Sequence, residues 1–275
     1  MPVVFATPFL LFALFVAGLG VLGFLFVNHV RFNWWCRAHG LPGISLREAF
    51  WAHLAEYAAV ARIGWWAFRA PLANPGRSPD GRAVLFVHGY TQNSTNFWRL
   101  RQVFADLGRP TRAVFLGVAW PWRRISHYGA ALVRALERAG TDSVDVVAHS
   151  MGGLVLREVL RSRPDLAPRI HSVVTLGTPH HGTAAARWFR WMHPTHELSY
   201  RSEWIEALPS LAALLPGVPV TTVGGTADMI VYPVESTTQP GARHVRLFGV
   251  GHAGLLVHPD AIQAVLEGTG ALTAL

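Results

Sequence analysis

Six short runs rich in β-branched and other apolar residues recur after Arg82: RAVLFVHG, TRAVFLGV, SVDVVAHS, IHSVVTLGTP, VPVTTVGG and RHVRLFGVG. Helical stretches separate them, near Asn96–Leu107, His127–Ala139 and Met151–Arg161, and a last one lies near Asp260–Leu266. Strand runs this uniformly apolar are buried on both faces, and strands that alternate with helices return parallel to one another. The expectation is an α/β fold, a mostly parallel sheet with helices on both faces. In such sheets, sites gather at the carboxyl ends of the strands.

Ser150 stands at one of those ends, in DVVAHSMGGLVLREVL. It closes a predicted strand and opens a predicted helix, with Ala148 two residues before it and Gly152 two after. A turn this sharp needs small neighbours, because strand and helix approach closely. It aims a hydroxyl into the cleft, where the helix N-terminus stabilises an anion. The pattern more often begins with glycine, so Ala148 is a departure. Taken alone, the stretch leaves open a plain alternative, a serine N-cap on an ordinary strand–helix unit.

Chain order narrows the choice. Asp228 follows the VPVTTVGG strand, and His252 follows HVRLFGVG. Serine, acid and histidine therefore arrive in sequence at three strand ends on the same sheet edge. In that arrangement His252 takes the Ser150 proton while Asp228 orients and stabilises the imidazole. Other acids fit worse: Asp145 lies within the serine strand, Asp165 follows a helix, and Asp260 opens the last helix. His180, His181, His244 and His258 lack the order or the strand-end placement. His88-Gly89-Tyr90 follows the first strand of the series, so the backbone N–H groups of Tyr90 and Met151 are the candidate oxyanion donors. His88 reads as structural, and Ser94 or Thr95 as the cap of the next helix.

With VHGY, VDVVAHSMGG, LGTPHHGT and TADMIVYPVESTTQPGARHVRLFGVGHAGLL in view, the chain from Arg82 onward resembles the bacterial lipases of the α/β-hydrolase superfamily. The C-terminal stretch is similar to the small Bacillus-type lipases, and LGTPHHGT to the larger true lipases. The resemblance implies carboxylic-ester hydrolysis with Ser150, Asp228 and His252 as triad and Tyr90 and Met151 as oxyanion donors. It implies no cofactor. The expected partner is a lipidic or medium-chain ester. A phospholipase, thioesterase or acyltransferase with the same triad is the alternative, and a non-catalytic hydrolase-like membrane module is the alternative of another class.

The N-terminus reads differently. Val3 to Val27 carries no charge and exceeds the roughly 20 residues that span a bilayer. It lacks the basic start and short core of a cleaved signal. A transmembrane anchor over residues 1–30 is expected, with Trp34 and Trp35 in the interfacial aromatic belt. Arg31, Arg37 and Arg47 all follow it, which favours a single-pass cell-membrane protein with a cytoplasmic catalytic domain. The chain is 51% hydrophobic with a net charge of +8, and its mean hydropathy of +0.27 is high for a soluble enzyme. All 24 cations are arginines, scattered and without a nucleic-acid motif, so membrane rather than nucleic acid is the expected partner surface. One cysteine excludes an internal disulfide.

Residues 31–81 read as an amphipathic helix and a Pro/Gly linker. Ser45 and Glu48 form a capping box. Phe50, Leu54, Tyr57, Ala61, Trp65 and Phe68 make one apolar stripe, facing either the domain or a membrane interface. PLANPGRSPDG then marks a boundary, leaving 82–275 as the catalytic domain. A cap-like insertion near 182–217, rich in Trp, Phe and Leu, is either a cover over the acyl pocket or a packed helical excursion. His180, His181, His193 and His196 lack strong metal-ligand spacing, so no metal is expected in catalysis.

Overall fold

The structure, a computed structural model, describes residues 26–41, 43–69, 82–138, 143–189 and 192–274. Six strands form one sheet: β1 (Val84–Val87), β2 (Thr111–Val114), β3 (Val144–His149), β4 (Ile170–Leu176), β5 (Val220–Gly225) and β6 (Arg243–Leu247). Their order is β2-β1-β3-β4-β5-β6, and every pairing is parallel. Each predicted strand run is present; β1, β3 and β5 are buried throughout and β4 nearly so, whereas the edge strands β2 and β6 are partly exposed.

Side-chain alternation sorts the core into two layers. Leu85, Val87, Val146 and Ala148 face α4 (Gly129–Glu137) and α5 (Met151–Ser162). Val84, Phe86, Val147, Val174 and Val223 face α3 (Trp98–Asp106) and α9 (Pro259–Gly268). On the second face Phe86 stacks on Phe97 at 4.9 Å between ring centroids and meets Phe104 edge-on at 6.0 Å. Full burial of each such side chain contributes about 1.5–3 kcal/mol. The predicted helix starts are close to those observed. The 3-10 turn Ser94–Phe97 that leads into α3 is capped by Asn93, whose side chain accepts from the Thr95 N–H and exchanges bonds with Asn96, rather than by Ser94 or Thr95.

The strand order reverses direction between β1 and β3: the chain moves outward from β1 to β2, then returns to the other side of β1. In parallel sheets such a reversal is where ligand sites form, outside the carboxyl ends of the strands.

The segment between β4 and β5 holds a 3-10 turn (Ala184–Phe189) and three short helices, α6 (His193–Leu198), α7 (Glu203–Glu206) and α8 (Leu211–Leu214). It is packed onto the body of the domain. Ile205, Leu211 and Leu215 are buried in the first core layer. Arg157 on α5 donates to the carbonyls of His180 (2.8 Å) and Pro209 (3.0 Å), and also to that of Leu208.

Residues 26–38 form helix α1, and α2 spans Leu46–Arg69. The capping box at Ser45 forms: Ser45 N–H donates to Glu48 Oε2 at 2.7 Å, and Glu48 N–H to Ser45 Oγ at 3.2 Å. The helix, however, packs by the face opposite to the expected stripe. Ala49, Ala52, Ala59 and Ile63 are buried, whereas Phe50, Leu54 and Trp65 are exposed. Small side chains let the backbone of α2 approach the domain closely, and closeness outweighed side-chain hydrophobicity in choosing the face.

The transmembrane helix expected at the N-terminus is corrected. No helix among the described residues is long and apolar enough to cross a membrane. The charge-free stretch lies outside the described residues except for Phe26 and Val27. The single-pass anchor, and the cell-membrane location drawn from it, do not stand. Trp35 shows why the flanking signal misled. It is 5% exposed and packs edge-on against Tyr200 (5.5 Å) and Tyr232 (5.8 Å), in a cluster with Phe32 and Ala184. Its apolar ring is satisfied by protein, and a guanidinium, that of Arg187, lies 5.3 Å over the exposed Trp34 ring.

Candidate active site

Ser150 separates β3 from α5 with φ 56° and ψ −131°, a backbone conformation that residues with a side chain rarely adopt. Its side chain makes no capping hydrogen bond to the helix it precedes. The N-cap alternative therefore fails on geometry. What holds the turn is its surroundings. Ser150 N–H donates to the Leu176 carbonyl at 2.9 Å, tying the turn to the end of β4. The two glycines that follow are required by close approach: a Cβ on Gly152 would lie 2.4 Å from the Val87 carbonyl oxygen, and one on Gly153 2.4 Å from Thr178 Oγ1. The surrounding structure thus keeps a strained residue in place, with its hydroxyl freed from helix capping.

Asp228 and His252 lie on the loops that leave β5 and β6. The Asp228 carboxylate is buried, and its two oxygens have separate partners. Oδ1 accepts from the N–H groups of Ile230 (2.8 Å) and Val231 (2.7 Å), and Oδ2 accepts from His252 Nδ1 at 2.7 Å. With Nδ1 committed to Asp228, Nε2 is the nitrogen of His252 available to a serine hydroxyl. No hydrogen bond joins Ser150 to His252 in this structure. Burial alone would depress the His252 imidazole, but the Asp228 carboxylate, its hydrogen bond and the nearby Glu56 carboxylate outweigh it and raise the pKa above the usual histidine value.

The loop after β1 closes the other side. A Cβ on Gly89 would lie 2.6 Å from Ser150 Cβ and 3.1 Å from its Oγ, so only glycine lets this loop run against the serine. Tyr90 and Met151 line one narrow cleft together with Gly89, Gly117, Ala119 and Tyr128. Met151 opens α5, where an N–H has no partner within its own helix. His88 is buried and occupied: its Nε2 accepts from the Leu116 N–H at 3.0 Å while Nδ1 donates to the Gly89 carbonyl at 2.8 Å. It braces the loop, in keeping with the structural reading.

Three residues near the site went unnoticed in the sequence. His149, fully buried, has Nε2 3.0 Å from the His252 carbonyl and Nδ1 2.8 Å from Gln92 Oε1, two acceptors of which a ring with one N–H donates to one. Burial, and then repulsion from His252, hold its pKa well below the ordinary value, so it stays neutral. Gln92 also accepts from the Gly89 N–H at 2.9 Å, linking the two loops. The third is Glu56 of α2, whose carboxylate reaches the His252 loop. A signal existed only for Glu56: it shares a helix face with the small residues Ala49, Ala52 and Ala59.

The remaining candidates disperse. Asp145 is buried at the amino end of β3, paired with Arg109 and Ser172. His180 is buried in the domain interior with Nε2 3.0 Å from Thr175 Oγ1. Among the described residues, no group of three or more His, Cys, Asp or Glu side chains is arranged to hold a metal ion.

Solved structures share this architecture at low sequence identity. A Bacillus licheniformis lipase, BlEst2 in mature form, is 17% identical, with a TM-score of 0.53 over 68% of this chain and 90% of that one. Aspergillus fumigatus lipase B is 19% identical, with a TM-score of 0.57 over 70% of this chain and 53% of that one. The metagenomic carboxyl esterase MGS0156 is 17% identical, with a TM-score of 0.56 over 74% and 80%. These likenesses establish the α/β-hydrolase fold. The sequence itself, over residues 61–250, matches the family described as a domain of unknown function (DUF7379), and with well over half of its length matched the chain belongs to that family.

Proposed function

We propose that this protein hydrolyses carboxylic esters through an acyl-enzyme formed on Ser150. The observation that carries the reading is the strained, uncapped Ser150 turn at the sheet edge that also bears the His252–Asp228 pair. Ser150 Oγ attacks the ester carbonyl carbon as His252 Nε2 takes its proton. The oxyanion forms facing the N–H groups of Tyr90 and Met151. When the tetrahedral species collapses, the alcohol leaves with the proton from His252. Water, deprotonated by the same nitrogen, then attacks the acyl carbon, and Ser150 recovers its proton as the acid departs.

An apolar acyl group fits the approach to the cleft. Gly117 and Ala119 line it, and the neighbouring Val118, Trp120 and Trp122 are 67%, 56% and 62% exposed. These side chains favour a lipidic or medium-chain ester over a small polar one. The fold likeness to lipases and a carboxyl esterase supports the same reaction class, and the similarity of the C-terminal stretch to Bacillus-type lipases is part of this reading.

The test is a series of p-nitrophenyl esters of increasing chain length with the wild type and Ser150→Ala. Turnover that rises from acetate toward medium chains in the wild type and vanishes in the variant is expected. Equal turnover by both proteins would remove Ser150 from the mechanism. Covalent labelling by a fluorophosphonate with no ester cleaved would shift the reading to acyl transfer onto another acceptor.

A further inference from the structure

Glu56 sits in the middle of α2, far in sequence from every residue of the site. Its Oε2 accepts from the Gly254 N–H at 2.9 Å, and its Oε1 accepts from the N–H of Ala253. These are the two residues that directly follow His252. The carboxylate is wedged so closely that a Cβ on Gly251 would lie 2.5 Å from Oε2. Both sides of His252 are therefore bound to this one carboxylate or limited by it. The rest of the residue is fixed by Asp228 at the ring and by His149 at the carbonyl.

A carboxylate held by two backbone N–H groups is a strong, directional clamp. A helix surface has no need of one in that place. The face of α2 that carries Glu56 is otherwise lined by Ala49, Ala52 and Ala59, and those small residues let the helix approach closely enough for the carboxylate to reach the loop. The charged groups facing His252 are then Asp228 from the β5 loop and Glu56 from α2, with neutral His149 at the end of β3. Burial raises the Glu56 pKa and its two N–H bonds oppose that rise.

We propose that Glu56 is a positioning residue for the reaction: from α2 it fixes the His252 loop through Ala253 and Gly254 and adds a second negative charge beside the imidazole. The proposal rests on the Ser150–His252–Asp228 reading. It makes α2 part of the active site rather than an appendage to it.

The experiment compares full-length wild type, Glu56→Gln, Glu56→Asp and Ser150→Ala on one p-nitrophenyl ester, measuring kcat, KM and the pH profile of kcat/KM, with thermal unfolding as a check of folding. Glu56→Gln keeps the shape, loses the charge, and leaves one of its two side-chain groups unable to accept. The expected result is a kcat lower by about 10–100-fold with KM little changed, since a displaced base costs the chemical step rather than binding. The acid limb of the profile should also move to lower pH, because the imidazolium loses an anionic neighbour. Glu56→Asp keeps the charge but draws it back by one methylene. It should lose kcat while its acid limb stays nearer to that of the wild type, a split that a purely structural role would not produce. A folded Glu56→Gln protein with wild-type kcat and an unmoved limb overturns the proposal, and so does wild-type kcat in Glu56→Asp should the Gln variant not fold. If instead Ser150→Ala keeps wild-type turnover, the triad reading itself has failed. An inactive Ser150→Ala beside a fully active Glu56→Gln removes Glu56 alone.

Discussion

The sheet carries a histidine–aspartate pair at each of its ends, and the two make opposite use of similar geometry. At the carboxyl edge, His252 Nδ1 lies 2.7 Å from Asp228; at the amino edge, His171 Nδ1 lies 3.0 Å from Asp145. Asp145 is fully buried and also meets Arg109 and the Ser172 hydroxyl, the latter at 2.6 Å, with Arg82 at 3.9 Å. Every oxygen there is neutralised, and the group ties the start of β3 to β4 and to the end of α3. Among the described residues, Asp228 pairs with no arginine, and its partners are two backbone N–H groups and the imidazole. A His–Asp pair is thus no signature of catalysis by itself. What distinguishes the carboxyl edge is the strained serine beside it and the narrow cleft lined by Tyr90 and Met151.

The largest effect that tests this contrast is at Ser150. Ser150→Ala should lower kcat by a factor on the order of 10⁴–10⁶ with the fold intact. Ser150→Gly should be equally inactive yet more stable by about 1–2 kcal/mol, since glycine adopts the turn without strain. Chemical denaturation of both variants reads that difference. A Gly variant no more stable than wild type would mean that the turn stores no strain.

Next come the two aspartates, exchanged for asparagine in separate proteins. Asp228→Asn should reduce kcat by about 10⁴-fold, because the amide no longer holds the imidazole in its productive tautomer. Asp145→Asn should leave kcat within a few-fold and destabilise the protein by about 3 kcal/mol, since Arg109 is left as an unpaired buried charge. The readouts are steady-state kinetics and the urea midpoint. A catalytic defect in Asp145→Asn matching that of Asp228→Asn would erase the distinction between the two ends.

A smaller effect is expected where the β1 loop meets the serine. Gly89→Ala places a methyl 2.6 Å from Ser150 Cβ, and the loop carrying Tyr90 must shift. A fall in kcat of about 10–100-fold should follow. Gly268→Ala is the counterpart away from the cleft, where the added methyl meets Val174 Cγ2 at 2.6 Å. It should cost stability and spare kcat. Paired kinetics and melting curves would show whether crowding is harmful to chemistry only at the cleft.

How far the sequence speaks follows the range of the forces involved. The six strands and the Ser150, Asp228, His252 order were legible because apolar runs, turn residues and chain order are local properties. Whether Ser150 caps its helix was not decidable locally, since its turn is tied to Leu176 and the two glycines after it are crowded by Val87 and Thr178 from other elements. The apolar stripe of α2 left its facing open between the domain and a membrane interface, and the domain is met instead by Ala49, Ala52, Ala59 and Ile63 on the other face. Trp35 looked interfacial beside an apolar stretch, and only the positions of Tyr200 and Tyr232 reveal its burial. Glu56 and His149 act on the His252 loop across long sequence separations, and chain patterns do not record which distant loop a side chain will meet.

The smallest predicted effect concerns pH. In the proposed mechanism His252 must be neutral to accept the Ser150 proton, and its pKa is raised in the folded protein. The acid limb of kcat/KM should therefore lie above the ordinary histidine value of about 6.5. The same shift affects stability. A histidine whose folded pKa exceeds its unfolded value binds its proton more tightly when folded, so the stabilisation is fully present below the unfolded pKa and is lost as pH rises through the folded one. Asp228→Asn removes the largest favourable charge, so it should bring the limb down and flatten that stability change. His171→Asn at the amino edge should leave the limb where it is, because Asp145 is already compensated by Arg109 and no reacting group lies nearby. A pH–rate profile for each protein decides it. A limb that moves with His171, or fails to move with Asp228, would mean that the kinetically visible proton belongs to some group other than His252.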